Sequence, residues 1–239
     1  MTCVSYKIVV SPRYEALSEY VHSIPSLPAE SLGTVIYHIR NTVYRTSVHG
    51  VDIVTKQYRV PHLLNRFAYA HLRPSKAERA YSYALRLQEK GILTPEPIAY
   101  ICEYSCGLLR RSFFISQAVD ATDADRLLAA GGDNRQQAIT AMAKTLMALR
   151  KHGIVNPDLN PRNVMLDANY QPYLIDINRL QFGADGGCDR KFAEHFKRIA
   201  DDLPTTLDIA RRYAEMAHLD ADSIAAIAQK QWLNDHKGR

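Results

Sequence analysis

Residues 155–177, "VNPDLNPRNVMLDANYQPYLIDI", decide the fold. They contain two carboxylates, Asp158 and Asp176, with the amide of Asn163 between them. Two apolar runs around a turn at residues 167–169 predict a short β-hairpin after Asn163. Because a hairpin brings its open ends side by side, we expect Asn163 and Asp176 to present oxygen atoms together. Asp158 would lie on the loop that precedes the hairpin.

These three side chains have the oxygen chemistry that phosphoryl transfer needs. Mg²⁺ binds carboxylate and amide oxygens together with phosphate, and a carboxylate on a loop can accept a hydroxyl proton. The reaction requires both a cation that neutralises the phosphates and an acceptor that steers the attacking hydroxyl. The alternative is that Asp and Asn only supply turns. The spacing Asp-x-x-x-x-Asn, between an amphipathic helix and a hairpin that ends in a carboxylate, favours the chemical interpretation.

Residues 34–59 alternate between apolar and polar side chains in the manner of β-strands. The alternation is interrupted at Arg40–Asn41 and at His49–Gly50, where turns are expected. This pattern predicts a three-stranded antiparallel meander.

A helix and two more strands are predicted after the meander. Ser75 is a suitable N-cap for the helix and Gly91 follows its end. The two strands flank a turn at Cys106–Gly107. We therefore expect residues 1–119 to form a five-stranded antiparallel sheet with one helix.

Residues 120–239 are predicted to be mainly helical. Apolar residues at three- and four-residue spacing predict a helix over residues 134–150. They also predict three helices after Asp176, with Pro204 between the first two. The fold class predicted is α+β, with residues 155–177 in the helical part.

Composition restricts the class of protein. Hydrophobic residues make up 46% and charged residues 23% of the chain, as in soluble globular proteins. The apolar runs are too short for a signal peptide or a membrane helix, so we expect a cytoplasmic protein. Four scattered cysteines predict free thiols, and Cys102 with Cys106 has no second pair to complete a metal site. The net charge of +5 favours an anionic partner, such as a nucleotide, a phospholipid surface or nucleic acid.

"DLNPRN" (residues 158–163) followed by "LIDIN" (residues 174–178) resembles the catalytic loop and metal-binding segment of the protein-kinase-like superfamily. The resemblance implies a two-lobed fold, with Asp158 as base and with Asn163 and Asp176 as metal ligands. The chain also resembles, more closely, the bacterial lipopolysaccharide kinase family, which phosphorylates Kdo or heptose of the inner core. The segments that carry this likeness are "RNTVYR", "VTKQY", "SKAERAY", "GILTPEPIAY" and "DLNPRNVMLD".

The resemblance implies ATP and Mg²⁺ as cofactors, with Lys56 on the nucleotide phosphates and Glu78 as its partner. From the residues alone, Lys56 would be a solvated strand residue and Glu78 would complete a capping box with Ser75. The glycine-rich phosphate loop of kinases is absent from "IRNTVYR". Arg40, Asn41 or backbone amides would therefore have to cover the phosphates.

Two departures from the kinase pattern restrict the function further. Asn156-Pro157 replaces the His-Arg pair before the catalytic Asp, so we do not expect control by activation-loop phosphorylation. Asn178 replaces the glycine that follows the metal-binding Asp by two positions, and the stretch after Asp176 is short. A small-molecule acceptor is therefore expected rather than a protein substrate.

The acceptor expected is a lipopolysaccharide core saccharide or a related small molecule, with no obligate protein partner. A basic, aromatic segment from Gln57 to Tyr81 is predicted either to lie against an anionic membrane leaflet or to form a solvated insertion. Kinases for another small alcohol, such as an aminoglycoside or choline, and RIO-like protein kinases remain alternatives. So does a pseudokinase scaffold, which the missing glycine loop favours. Nucleic-acid binding, prompted only by the high pI, is the weakest of these interpretations.

Overall fold

A computed structural model describes residues 4–60, 66, 68–70, 72–183 and 189–237. The chain divides into two units. The first comprises Met1–Glu89 and Pro95–Val119, and the second comprises Lys90–Thr94 and Asp120–Arg239. The first unit is built on a β-sheet and the second mainly on helices.

The sheet of the first unit has six antiparallel strands. In chain order they are β1 (Val4–Val10), β2 (Thr34–His38), β3 (Thr42–Val48), β4 (Val51–Tyr58), β5 (Pro97–Ser105) and β6 (Leu108–Gln117). Their order across the sheet is β1-β5-β6-β4-β3-β2. The meander and the two later strands are therefore confirmed.

The prediction of five strands was wrong, because β1 was missed. This strand lies at an edge of the sheet, where it pairs with β5 from Val4 opposite Ser105 to Val10 opposite Ala99. Its first four residues are exposed. Its apolar residues are consecutive, because Ile8 and Val10 pack against one core cluster and Val9 against the other, so the sequence lacks the alternation by which the meander was found.

The expected turns are confirmed by their backbone conformations. His49 and Gly50 between β3 and β4 have φ angles of 50° and 78°. Cys106 and Gly107 between β5 and β6 have φ angles of 49° and 71°. Two consecutive left-handed residues match the right-handed twist of the flanking strands, which explains why glycine follows the first residue in both turns.

Helix α2 (Lys76–Glu89) packs on one face of the sheet, while α1 (Ser18–Ser23) contributes to the core on the other. Ser75 accepts a hydrogen bond from the backbone N–H of Glu78 at 3.1 Å, which confirms it as the N-cap. The ring centroids of Tyr81 on α2 and Tyr100 on β5 are 5.4 Å apart. Because β5 is covered on both faces, it reads as a nearly continuous apolar run.

The second unit contains, in chain order, β7 (Thr122–Asp123), α3 (Ala124–Ala130), α4 (Gly132–Lys151), β8 (Ile154–Val155), β9 (Val164–Leu166), β10 (Pro172–Leu174), β11 (Gln181–Phe182), α5 (Asp189–Ala193), α6 (Leu203–Met216) and α7 (Ala221–His236). The long helix expected over residues 134–150 is α4, and the hairpin is β9–β10. Both predictions are confirmed.

Of the three helices expected after Asp176, α6 and α7 are regular. The first is only the short α5, followed by a 3-10 turn over Glu194–Lys197. Pro204 lies in the first turn of α6, where Asp202 caps the helix by accepting the N–H of Thr205 at 2.7 Å. Proline is favoured there because the first turn has no intrahelical partner for its nitrogen.

Part of the basic, aromatic segment lies outside the described residues, namely 61–65, 67 and 71. In the described part, the guanidinium groups of Arg73 and Arg79 lie 4.4 and 5.8 Å from the ring centroid of Tyr69. Contact with a membrane stays a prediction. None of the helices that the structure describes has both the length and the apolar character needed to cross a bilayer.

The expectation of free thiols is confirmed for Cys102 and Cys106. Cys102 is buried and its Sγ lies 3.0 Å from Ser75 Oγ, whereas Cys106 is exposed. Cys3 and Cys188 lie outside the described residues.

A buried carboxylate lies within the sheet. Glu103 on β5 has no exposed surface and accepts hydrogen bonds from Arg110 Nη1 at 2.8 Å and from Arg111 Nε at 2.6 Å. Arg111 also donates to the carbonyl of Pro25 at 2.6 Å. A buried charge is tolerated only when it is paired, so this unit depends on these arginines.

We predict that Arg111→Met destabilises the protein by about 3 kcal/mol, because it leaves a buried carboxylate with one partner. Arg45→Met is the matched control, since Arg45 and Asp52 form an exposed pair 3.2 Å apart whose loss costs less than about 1 kcal/mol. Urea unfolding followed by circular dichroism measures both. Equal destabilisation by the two substitutions would contradict the role given to Glu103.

Candidate active site

The loop after β8 is wrapped around the backbone of Asp158. The Asp158 N–H donates to Asn156 Oδ1 at 3.1 Å. Its carbonyl oxygen accepts two side-chain amides, Asn160 Nδ2 and Asn163 Nδ2, both at 2.9 Å. Each amide replaces a hydrogen bond that regular secondary structure would supply. This explains why the loop sequence is rich in asparagine. Asp158 and Asn163 are brought into direct contact.

Asn163 ends a 3-10 turn over Pro161–Asn163, which Asn160 caps by accepting the N–H of Arg162 at 3.0 Å. Because Asn163 uses its Nδ2 on Asp158, its Oδ1 is the atom that can bind a cation.

The hairpin places Asp176 at the same end as Asn163. Val164 pairs with Leu174, and the next N–H, that of Ile175, donates to the Asn163 carbonyl at 3.0 Å. The backbone alignment expected from the sequence is therefore present, while convergence of the Asn163 and Asp176 side-chain oxygen atoms stays a prediction.

Asp176 itself has a left-handed backbone with φ of 54°. Its Oδ1 accepts Asn178 Nδ2 at 2.7 Å. The left-handed region is a source of local strain that Asp tolerates better than most residues.

Arg179 was not singled out from the sequence, yet it reaches the candidate base. Its Nη1 donates to Asp158 Oδ1 at 2.8 Å. The backbone of Arg179 lies just ahead of β11, which pairs with β8 through Gln181 opposite Val155. Only the fold brings these two segments together, so sequence reasoning had no signal for the contact.

The oxygen set fits Mg²⁺. Across the described residues, no three His, Cys, Asp or Glu side chains cluster closely enough to form a metal site. The candidate site instead offers one amide oxygen, from Asn163, and one carboxylate, from Asp176. Mg²⁺ is commonly held by one or two protein oxygens and completes its octahedron with water and phosphate, so this donor set suits a metal that arrives with a nucleotide.

Lys56 and Glu78 belong to the first unit and lie on the same side of its sheet. Lys56 on β4 is opposite Phe114, which is opposite Tyr100, and directly opposed residues share a face. This is the face on which α2 packs. The Glu78 carboxylate accepts a hydrogen bond from Lys7 Nζ at 2.6 Å, which raises the pKa of Lys7. Pairing of Glu78 with Lys56 stays a prediction.

The expected phosphate-covering residues, Arg40 and Asn41, lie in the turn between β2 and β3. Arg40 is exposed. The Asn41 side chain accepts the backbone N–H of Arg59 at 3.1 Å, so this amide ties the turn to the end of β4. Their role in phosphate binding stays a prediction.

A buried histidine, which sequence reasoning missed, anchors the loop that carries Asp158. His195 Nε2 accepts the N–H of Asn156 at 2.9 Å, while its Nδ1 donates to the carbonyl of Phe192 at 2.8 Å. This arrangement requires the neutral ring, and burial lowers the pKa of His195 to about 4. The Asn156 that replaces a kinase His is thus fixed from the C-terminal helices.

We predict that His195 makes the protein less stable in acid. The unfolded state binds a proton near pH 6.5 and the folded state only near pH 4, so stability falls between these values and is unaffected above them. Lowering the pH from 7 to 5 should cost about 2 kcal/mol through this group.

Urea titrations at several pH values measure this dependence. His195→Gln should flatten the slope between pH 7 and 5, whereas His218→Asn, at an exposed position with a left-handed backbone, should leave it unchanged. An unchanged slope in His195→Gln would contradict the assignment.

The family model described as "Lipopolysaccharide kinase (Kdo/WaaP) family" matches residues 38–199, more than half of the chain. No curated protein matches the chain. The chain is also similar to a solved structure described as "WaaP in complex with acyl carrier protein".

That structure is 15% identical in sequence and has a TM-score of 0.61, with 96% of this chain and 99% of the other covered. At this identity the likeness concerns the fold, and it confirms the α+β, protein-kinase-like fold predicted from the sequence. Together with the family match, it shows that the chain belongs to the lipopolysaccharide kinase (Kdo/WaaP) family and is a kinase.

Proposed function

We propose that this protein transfers the γ-phosphoryl group of ATP, with Mg²⁺, to a hydroxyl of an inner-core sugar of lipopolysaccharide, either Kdo or heptose. One observation carries the proposal. The backbone of the candidate base, Asp158, is bonded to the side chain of Asn163, and the hairpin sets Asp176 at the same end as Asn163.

Asp158 acts as the base. The acceptor oxygen forms a bond to the γ-phosphorus as the bond from that phosphorus to the β,γ-bridging oxygen breaks, and ADP leaves. Asp158 takes the hydroxyl proton, and its main contribution is to orient the hydroxyl for in-line attack. Its loop is rigid because its backbone N–H and carbonyl are both bonded to asparagine side chains.

Asn163 Oδ1 and the Asp176 carboxylate would hold Mg²⁺. When bound, this ion neutralises charge on the phosphates. The hydrogen bonds from Asn163 Nδ2 to Asp158 and from Asn178 Nδ2 to Asp176 fix the orientation of both oxygen ligands before any ion arrives.

Lys56 would bind the nucleotide phosphates, with Glu78 as the carboxylate that orients it. Both lie on the α2 side of the sheet, which supports this assignment. Lys7, which is bonded to Glu78, is a second cation at the same carboxylate. Arg40 and Asn41 would cover the phosphates in place of a glycine-rich loop.

The expectation that the protein has no obligate protein partner meets one finding against it. We expected no obligate protein partner, but the similar solved structure is a complex of WaaP with acyl carrier protein. That complex counts against the expectation, and the proposed function does not require that a protein partner be absent. Peripheral contact with an anionic membrane surface remains part of the proposal because the acceptor is lipid-linked and the chain carries a net charge of +5.

We predict that Asp158→Asn lowers kcat for phosphate transfer to a core-saccharide acceptor by about 10²- to 10⁴-fold while binding of Mg·ATP is retained. Mass spectrometry of the acceptor and calorimetric binding of the nucleotide measure the two effects. Asp222→Asn, at an exposed residue of α7, is the control and should behave as the wild type. Undiminished transfer by Asp158→Asn would show that Asp158 is not the base.

We also predict that Mg·ATP stabilises the folded protein, by about 2.7 kcal/mol at 100 times its dissociation constant. Asp176→Asn should remove the part of the thermal shift that requires Mg²⁺ and keep the part due to ATP without metal, because it removes the carboxylate but tolerates the left-handed backbone. A wild-type protein with no shift under saturating Mg·ATP would indicate a pseudokinase instead.

A further inference from the structure

The Arg179 side chain contacts the carboxylate of Asp158, the proposed base. Its Nη1 lies 2.8 Å from Asp158 Oδ1, and the exposed fractions of the two side chains are 61% and 24%. An ion pair with so exposed a partner contributes little to stability because solvent screens it and two side chains must be ordered. The fold therefore does not account for an arginine at this position.

The backbone of Arg179 is fixed although its side chain is exposed. Its neighbours Asn178 and Leu180 are both buried, and the Leu180 N–H donates to the carbonyl of Ile177 at 3.2 Å. The following strand pairs with Val155, three residues before Asp158. The backbone at Arg179 is thus held in place, and its guanidinium points outward at a set position relative to the Asp158 carboxylate.

Both members of the pair have unused hydrogen-bonding capacity. A guanidinium has five N–H donors, and within the described part of the chain the only bond from the Arg179 side chain is the one to Asp158 Oδ1. The Asp158 carboxylate likewise has no other partner among the described residues. Its Oδ2 can therefore take a hydroxyl while the guanidinium takes a second group of the same molecule.

We propose that Arg179 is an acceptor-binding residue that holds an anionic group, a carboxylate or a phosphate, of the acceptor alcohol and thereby places the neighbouring hydroxyl on Asp158. The planar fork of arginine matches both anions through two parallel hydrogen bonds. This inference rests on the proposed role of Asp158 as base. It makes the enzyme favour acceptors that carry an anionic group next to the reacting hydroxyl over neutral alcohols.

A different role would be that Arg179 only orients Asp158. In that case its loss would slow transfer to charged and neutral acceptors by the same factor. Recognition of the acceptor's anion instead predicts a loss that depends on the acceptor. The two roles are separated by changing the enzyme and the acceptor together, in a double-mutant cycle.

The test uses wild-type protein, Arg179→Met and Arg179→Lys with two acceptor pairs. The first pair, Kdo-bearing lipid A and its carboxyl methyl ester, tests whether Arg179 binds a carboxylate. The second pair, a heptose acceptor with and without a neighbouring phosphate, tests whether it binds a phosphate. In each pair the second member lacks the anionic group and is called neutral. For one of the two pairs, kcat/KM of the wild type should be about 10- to 100-fold lower with the neutral member than with the anionic member, as for the loss of a hydrogen bond to a charged group.

Relative to the wild type, Arg179→Met should have a similarly lower kcat/KM with the anionic member of that pair, mainly through a higher KM. With the neutral member its kcat/KM should equal that of the wild type. Arg179→Lys should be intermediate. The pair that shows the coupling identifies the anion. Equal losses with both members of each pair, or full discrimination kept by Arg179→Met, would overturn the inference. Arg198→Met, which removes an exposed arginine paired with Asp235, is the matched control.

Binding measurements separate this inference from the proposed function. Calorimetric titration of the same acceptors without ATP should show weaker binding of the anionic member by Arg179→Met than by the wild type, and equal binding of the neutral member. Equal binding of both members by the two proteins overturns the role of Arg179. Absence of transfer to all four acceptors by the wild type, with that difference in binding present, refutes the kinase reaction proposed and leaves acceptor recognition by Arg179 supported.

Discussion

The hydrogen bond from the Asn163 side chain to the carbonyl of Asp158, 2.9 Å long, is the contact on which the candidate site depends. It closes the loop between the two residues and orients the Asn163 amide so that its oxygen can bind a metal. The hairpin then starts from Asn163, and its strand pairing, with the Ile175 N–H bonded to the Asn163 carbonyl, sets the backbone position of Asp176. Without the bond from Asn163 to Asp158, no side-chain hydrogen bond would join the candidate base to Asn163, the candidate metal ligand.

The site residues of the second unit were predictable because they are close in sequence and locally determined. The hairpin was read from two apolar runs and a turn, and a hairpin has one way to align its ends. Asp158 and Asn163 were likewise found from their spacing. By contrast, the contact of Arg179 with Asp158 spans 21 residues and depends on the pairing of β11 with β8, which are only two residues each. Strands this short have no readable period.

In the first unit too, some elements were predictable from the sequence and others were not. Its meander was recognised from the alternation of apolar and polar residues, and the turns at His49–Gly50 and Cys106–Gly107 have glycine where left-handed backbone is required. The edge strand β1 was missed, and with it the hydrogen bond from Lys7 to Glu78, because Lys7 lies on that strand. His195 was missed for a related reason: a histidine on a short helical segment has no sequence signal that it will accept an N–H from Asn156, 39 residues away.

The central claim is that Asn163 and Asp176 hold Mg²⁺ beside the base Asp158. A crystal structure with Mg²⁺ and a non-hydrolysable ATP analogue tests it most directly. The account predicts the ion about 2.0–2.1 Å from Asn163 Oδ1 and from an Asp176 carboxylate oxygen, with the γ-phosphate next to Asp158. A nucleotide-bound ion that contacts neither side chain would contradict it.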